Sequence, residues 1–239
     1  MTRKSPAPVT RVQVPHCGGL TLLLAPDIPA TLAAALVADS EALLAPLRPW
    51  GRFREPVWVA TLETPATAGS ALPTPCMQLA AFATLDRVTL VTAPEQVAEW
   101  APLLLHELGH AQCFQRCTPP GCATPYLPTW FREGLAMRVA NGRPDPRQRR
   151  QLADHPAFLQ SAHADAAAIA ADPSATYALA WHLFAAWHDR YGAVGLTALY
   201  AALRRGHAFA SAFSRVCGVA ADAFVAAWLR AVQEEARRG

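Results

Sequence analysis

No stretch of this sequence approaches the roughly 18 uninterrupted apolar residues that a membrane-crossing helix needs, although hydrophobic residues make up 52% of its composition. Alanine accounts for much of that figure, so the expectation is a chain that stays out of the membrane. A secretory leader is also lacking. Met1-Thr2-Arg3-Lys4 is basic, but the apolar stretch Leu20 to Ala25 is short and runs into Pro26-Asp27 without a small-residue cleavage pattern, which predicts a cytoplasmic protein. Strong charge of one sign is missing as well. A net charge of +3 is too mild to suggest a nucleic-acid binder, for which a concentrated basic face is expected. The one basic cluster, Arg143 to Arg150, is interrupted by Pro144 and Pro146 and reads as a solvated loop. No internal repeat is present.

Cysteine is not scarce, at six residues: Cys17, Cys76, Cys113, Cys117, Cys122 and Cys217. They would suit three disulfides in a secreted protein, but without a leader they are expected to be reduced. Cys113, Cys117 and Cys122 follow a C-x3-C-x4-C spacing that fits no standard zinc motif. Incidental thiols are the expectation, with a bridge among them or a competing thiol site for metal as alternatives.

With 239 residues the chain can bury a sizeable core in one domain of two lobes. Residues 1–10 are polar and proline-rich and read as disordered. Arg11–Val14 and Leu20–Leu24 form a strand pair around Gly18-Gly19, and Pro29–Leu44 an alanine- and leucine-rich helix. Val57–Leu62 is a strand by its branched and aromatic content. Thr64–Pro75 is a loop, and Met77–Thr84 with Val88–Thr92 a hairpin. Pro94 to about Arg116 is helical but contains Pro102, so the main helix is expected to begin near Ala101 after a short preceding one. Thr129 is expected to cap the next helix. Beyond about residue 152 the pattern is helical, with Ser174 as a cap and Gly192 and Gly206 as stops. The predicted class is α+β: a mixed sheet-and-helix lobe over residues 11–117 and an all-helical lobe over 118–239.

At the junction stands His106-Glu107-Leu108-Gly109-His110, an H-E-x-x-H pattern. Two imidazoles four residues apart project from one helical face and can grip a zinc ion, with a glutamate between them placed to act on water. Buried histidines without metal are the plain alternative. A hydrolytic zinc site takes three protein ligands and keeps a fourth position open, so one more ligand is needed downstream. The extension HExxHxxGxxH fails here, since Cys113 stands at the glycine position and Arg116 at the histidine position. An aspartate finds only a faint context, in Trp187–Gly192. A glutamate is offered by Trp130-Phe131-Arg132-Glu133-Gly134-Leu135-Ala136, an ordinary surface residue in a helix's first turn being the alternative for Glu133.

Taken with HExxH, this W-x-x-E-G-x-A segment resembles the gluzincin zinc metallopeptidases, within them the peptidase MA-like group. The resemblance implies a zincin-like fold with the metal site between the two lobes, zinc held by His106, His110 and Glu133, and Glu107 as general base. Gly134 and Ala136 would let the two motif helices approach closely. There are 22 residues between His110 and Glu133, a few more than is usual in that group, and the surplus fits the Thr118–Pro128 loop. The aspartate expected four residues after the ligand glutamate is replaced by Met137. Tyr177, early in a C-terminal helix that ends at Tyr191-Gly192, is the implied oxyanion donor, an ordinary core tyrosine being the alternative. His182 is expected to be a core or surface histidine, and His155 and His163 to face solvent. The implied substrate is a peptide or protein, laid along the Met77–Thr84 edge strand. The Gly-x-Met-Glu-Asn segment of gluzincin aminopeptidases is absent, which favours an endopeptidase. A non-catalytic zinc-binding or protein-interaction module of the same fold is the alternative.

Overall fold

A computed structural model describes residues 9–17, 19–26, 28, 30–61, 81–90, 97–153 and 172–238. The chain is α+β and divides into two compact units, 1–115 and 116–239. The expected Thr64–Pro75 loop, the first half of the expected Met77–Thr84 strand, Cys76, His155, His163 and residues 1–8 lie outside the described residues.

The first unit is built on a five-stranded mixed sheet. Strands β1 (Thr10–Val14), β2 (Leu20–Leu24), β3 (Val57–Thr61), β4 (Ala81–Ala83) and β5 (Arg87–Leu90) take the order β1-β2-β3-β5-β4. The β1/β2 and β4/β5 pairs are antiparallel, as their short connections require, whereas β2/β3 and β3/β5 are parallel. Side chains alternate across the sheet with period two, so Val12, Val14, Leu20, Leu22 and Leu24 are buried while their neighbours are not. Helix α1 (Ala30–Leu43) adds Leu32 and Leu36, one turn apart on one face, to the core. Among the described strands β4 lies at the edge, with β5 inside it.

Helix α2 (Val97–Cys117) carries HExxH and is one uninterrupted helix. The expected start near Ala101 is therefore corrected. Pro102 sits near the N-terminal end with its ring exposed, where its missing N–H removes only one bond.

In the second unit, α3 (Thr129–Asn141) and α5 (Pro173–Arg204) pack side by side, accompanied by α4 (Pro146–Ala153), α6 (Phe209–Cys217) and α7 (Ala221–Arg238). Thr129 is not the cap of α3. Pro128 takes that place, and its carbonyl accepts from the amides of Phe131 and Arg132, both at 3.0 Å. Ser174 does not cap α5 either. Asp172 does, accepting from the Ala175 amide at 3.0 Å, because Pro173 fits the first helical position and leaves the residue before it to cap. The Arg143–Arg150 loop is in part a helix, α4, started by Pro146 with the Asp145 carboxylate accepting from the Arg147 amide at 2.9 Å. Gly192, at φ 63°, breaks α5 where a stop is expected. Among the described residues no single helix is long and apolar enough to cross a membrane.

Candidate metal centre

His106 and His110 lie one turn apart on α2, and their Nε2 atoms converge to 3.1 Å with the rings edge to face. Two nitrogens each about 2.05 Å from one tetrahedral zinc would stand about 3.3 Å apart, so this convergence suits a shared ion. The third donor is Glu133 on α3. The ligand atoms of His106, His110 and Glu133 all lie within 4.8 Å of one another. His110, Glu107 and Glu133 are buried, at 7%, 6% and 5% exposure, and His106 is half-buried. Carboxylates removed from water to that degree need a cation or hydrogen-bond donors. Nitrogen and carboxylate donors in this number suit a borderline divalent ion.

Two buried glutamines fix the C-terminal half of α2. Gln112 Nε2 donates to the Gly51 carbonyl at 2.9 Å. Gln115 Oε1 accepts from the amides of Arg54 and Glu55, at 2.8 and 3.1 Å. Its Nε2 donates to the carbonyls of Glu55 and Leu85, at 3.1 and 2.7 Å. All four capacities of that amide are used, so the helix is pinned in rotation and height against the chain before β3 and the turn before β5. Neither glutamine stands out in the sequence. The one available signal was two amides interleaved with the apolar Ala111, Cys113 and Phe114.

The helix carrying Glu133 is placed by rings and by a glycine. Phe131 packs at centroid distances of 5.3 Å against Phe184, 5.3 Å against Trp187 and 5.2 Å against Phe209. Trp130 meets Phe209, Phe213 and Phe224. Gly134 sits against α5. A Cβ on it would lie 2.1 Å from the Ala180 carbonyl oxygen and 2.5 Å from Phe184 Cβ, so it is α5 that needs the glycine. One residue is about 100° of helix, and Glu133 and Gly134 therefore face different neighbours.

Tyr177 is half-buried in the first turns of α5, one turn before Ala180 on the same face. Gly142 accepts from Trp181 Nε1 at 2.9 Å, and Arg143 pairs with Asp189 at 2.6 Å. His182 is buried, as the core alternative has it, and its Nε2 has no hydrogen-bond partner among the described residues. Burial, with the Arg149 cation adding to it and Asp145 opposing, pulls its pKa from 6.5 to about 4. Cys17, Cys113, Cys117, Cys122 and Cys217 are thiols.

The sequence reading passed over Arg132. Its Nε donates to Glu133 Oε1 at 2.9 Å, and its Nη2 lies 2.9 Å from the same oxygen. No family model matches the chain, and no curated protein matches it.

Proposed function

We propose that the chain is a zinc-dependent metallopeptidase of the gluzincin type, with a zincin-like fold, acting as an endopeptidase on peptide or protein substrates. The observation that carries this reading is the grouping of His106, His110 and Glu133 within 4.8 Å, with the buried Glu107 between the two histidines on the same helix.

His106 Nε2, His110 Nε2 and a Glu133 oxygen would hold the ion. Zinc in such a site acts as a Lewis acid, bringing the pKa of water down to about 7 and polarising the carbonyl to be cleaved. Glu107 takes the proton of the attacking water and hands it to the departing amine, a part its position next to one ligand and three residues before the other suits. Tyr177 donates its hydroxyl hydrogen to the developing oxyanion. The substrate backbone pairs with the edge strand β4.

The test compares zinc content and casein hydrolysis for the wild type and Glu107→Gln. One zinc per chain is expected in both, with hydrolysis lost in the variant by about 10²-fold or more. Equal zinc with hydrolysis in neither would reduce the chain to a non-catalytic zinc-binding module.

A further inference from the structure

The connection between β1 and β2 and the chain ahead of β3 border a cavity of about 540 Å³, lined by Pro15, His16 and Gly19 from the first and Arg48, Gly51 and Arg52 from the second. That volume suits a small organic molecule better than a lone ion. His16, Arg48 and Arg52 make half of the lining basic, and no acidic side chain among the described residues lines it. Gly19 and Gly51 add bare backbone, and a Cβ on Gly19 would meet nothing within 4 Å.

The walls are tied together. The buried Cys17 thiol donates to the Leu44 carbonyl at 3.0 Å and joins the two segments. Glu41, near the end of α1, accepts from the His16 amide through Oε1 at 3.4 Å and from Arg48 Nη2 through Oε2 at 3.0 Å. The same Nη2 reaches the Glu41 carbonyl at 3.4 Å. The Gly51 carbonyl is held by Gln112 Nε2 at 2.9 Å. Arg52, by contrast, is exposed and has no hydrogen-bond or ion-pair partner among the described residues. An unbalanced cation on the wall of a cavity draws anions into it.

We propose that this cavity binds the phosphate group of a small phosphorylated molecule, with Arg52, Arg48 and His16 as its donors. A guanidinium grips a carboxylate with two parallel bonds, and Nη2 belongs to both of the pairs it can offer. In Arg48 that nitrogen is turned to Glu41, so the residue gives the ligand single bonds. Single bonds from several separate donors suit a phosphate, whose three terminal oxygens each accept. The site lies within residues 15–52 and stands independently of the metal-site reading.

Calorimetric titration of the full-length chain with phenyl phosphate, and separately with benzoate, tests the proposal; the two share a ring and differ in the anion. Phenyl phosphate is expected to bind at millimolar concentration or below, and benzoate more weakly. Arg52→Gln, checked for folding by circular dichroism, is expected to weaken phenyl phosphate by about tenfold or more, and Arg52→Lys, which restores the cation, by less. No binding of phenyl phosphate to the wild type would overturn the proposal. So would equal affinity in the wild type and Arg52→Gln, which would put the anion elsewhere, at the metal centre for instance. Benzoate binding as tightly as phenyl phosphate would overturn the assignment to phosphate.

Discussion

The two helices that carry the candidate metal donors both bury apolar side chains, but what fixes each in place differs. Helix α2 is fastened by directional polar bonds, five of them from the amides of Gln112 and Gln115 to backbone groups. Helix α3 is held by shape: the Phe131 and Trp130 rings and the bare Cα of Gly134 against α5. Hydrogen bonds fix rotation and register but contribute only about 1 kcal/mol net each. Close packing contributes more energy and tolerates no added volume. The comparison teaches that the histidine half of the site should be lost gradually as its bonds are removed, and the glutamate half abruptly.

The largest effect expected is that of Gly134→Ala. Its methyl would overlap a backbone oxygen, which cannot rotate away, so a loss of more than about 3 kcal/mol is expected, overriding the helical preference of alanine. Urea unfolding followed by circular dichroism measures it; a stability equal to the wild type would mean the helices do not pack this closely.

Next comes His182, on the same packed helix as Ala180. Its folded pKa, about 4, lies below the unfolded value of 6.5, so the native state binds fewer protons in between. The stability this contributes is fully present above pH 6.5 and is lost as the pH falls to about 4, to a limit of about 3 kcal/mol. Unfolding midpoints between pH 7 and 4 should therefore fall more steeply in the wild type than in His182→Leu. Parallel slopes would remove the histidine from the account.

The smallest effect sharpens the other side. Gln115→Leu should cost about 2 kcal/mol, since it strands two carbonyls and two amides that solvent only partly recovers. It should also weaken metal binding, measured by chelator competition, because α2 is then free to rotate. Lost stability with unchanged metal affinity would show that the glutamine braces the fold without orienting the histidines.

The difference between the two halves also governs what could be read beforehand. The strands at Val12–Val14, Leu20–Leu24 and Val57–Val59 were legible because branched and aromatic side chains favour strands and Gly18-Gly19 marks a turn. The break at Gly192 was legible because a positive φ favours glycine. His106, His110 and Glu133 were legible as candidates because ligand chemistry demands particular residue types, and the structure groups them. The caps were misread because Pro128 and Pro173 each decide a helix start in preference to the nearby hydroxyl. Gln112, Gln115 and the Arg132 hold on Glu133 were illegible because their partners are backbone groups about 60 residues away or a side chain that helical spacing says should point elsewhere. The need for a small residue at Gly134 was legible, whereas the demand that α5 makes on it was not.

The central claim is that His106, His110 and Glu133 hold one zinc ion. Anomalous diffraction at the zinc edge from crystals of the zinc-loaded protein tests it directly. The account predicts one strong peak within about 2.0–2.2 Å of His106 Nε2, His110 Nε2 and a carboxylate oxygen of Glu133. A peak at the cysteines, or one at the histidines that Glu133 does not reach, would contradict it.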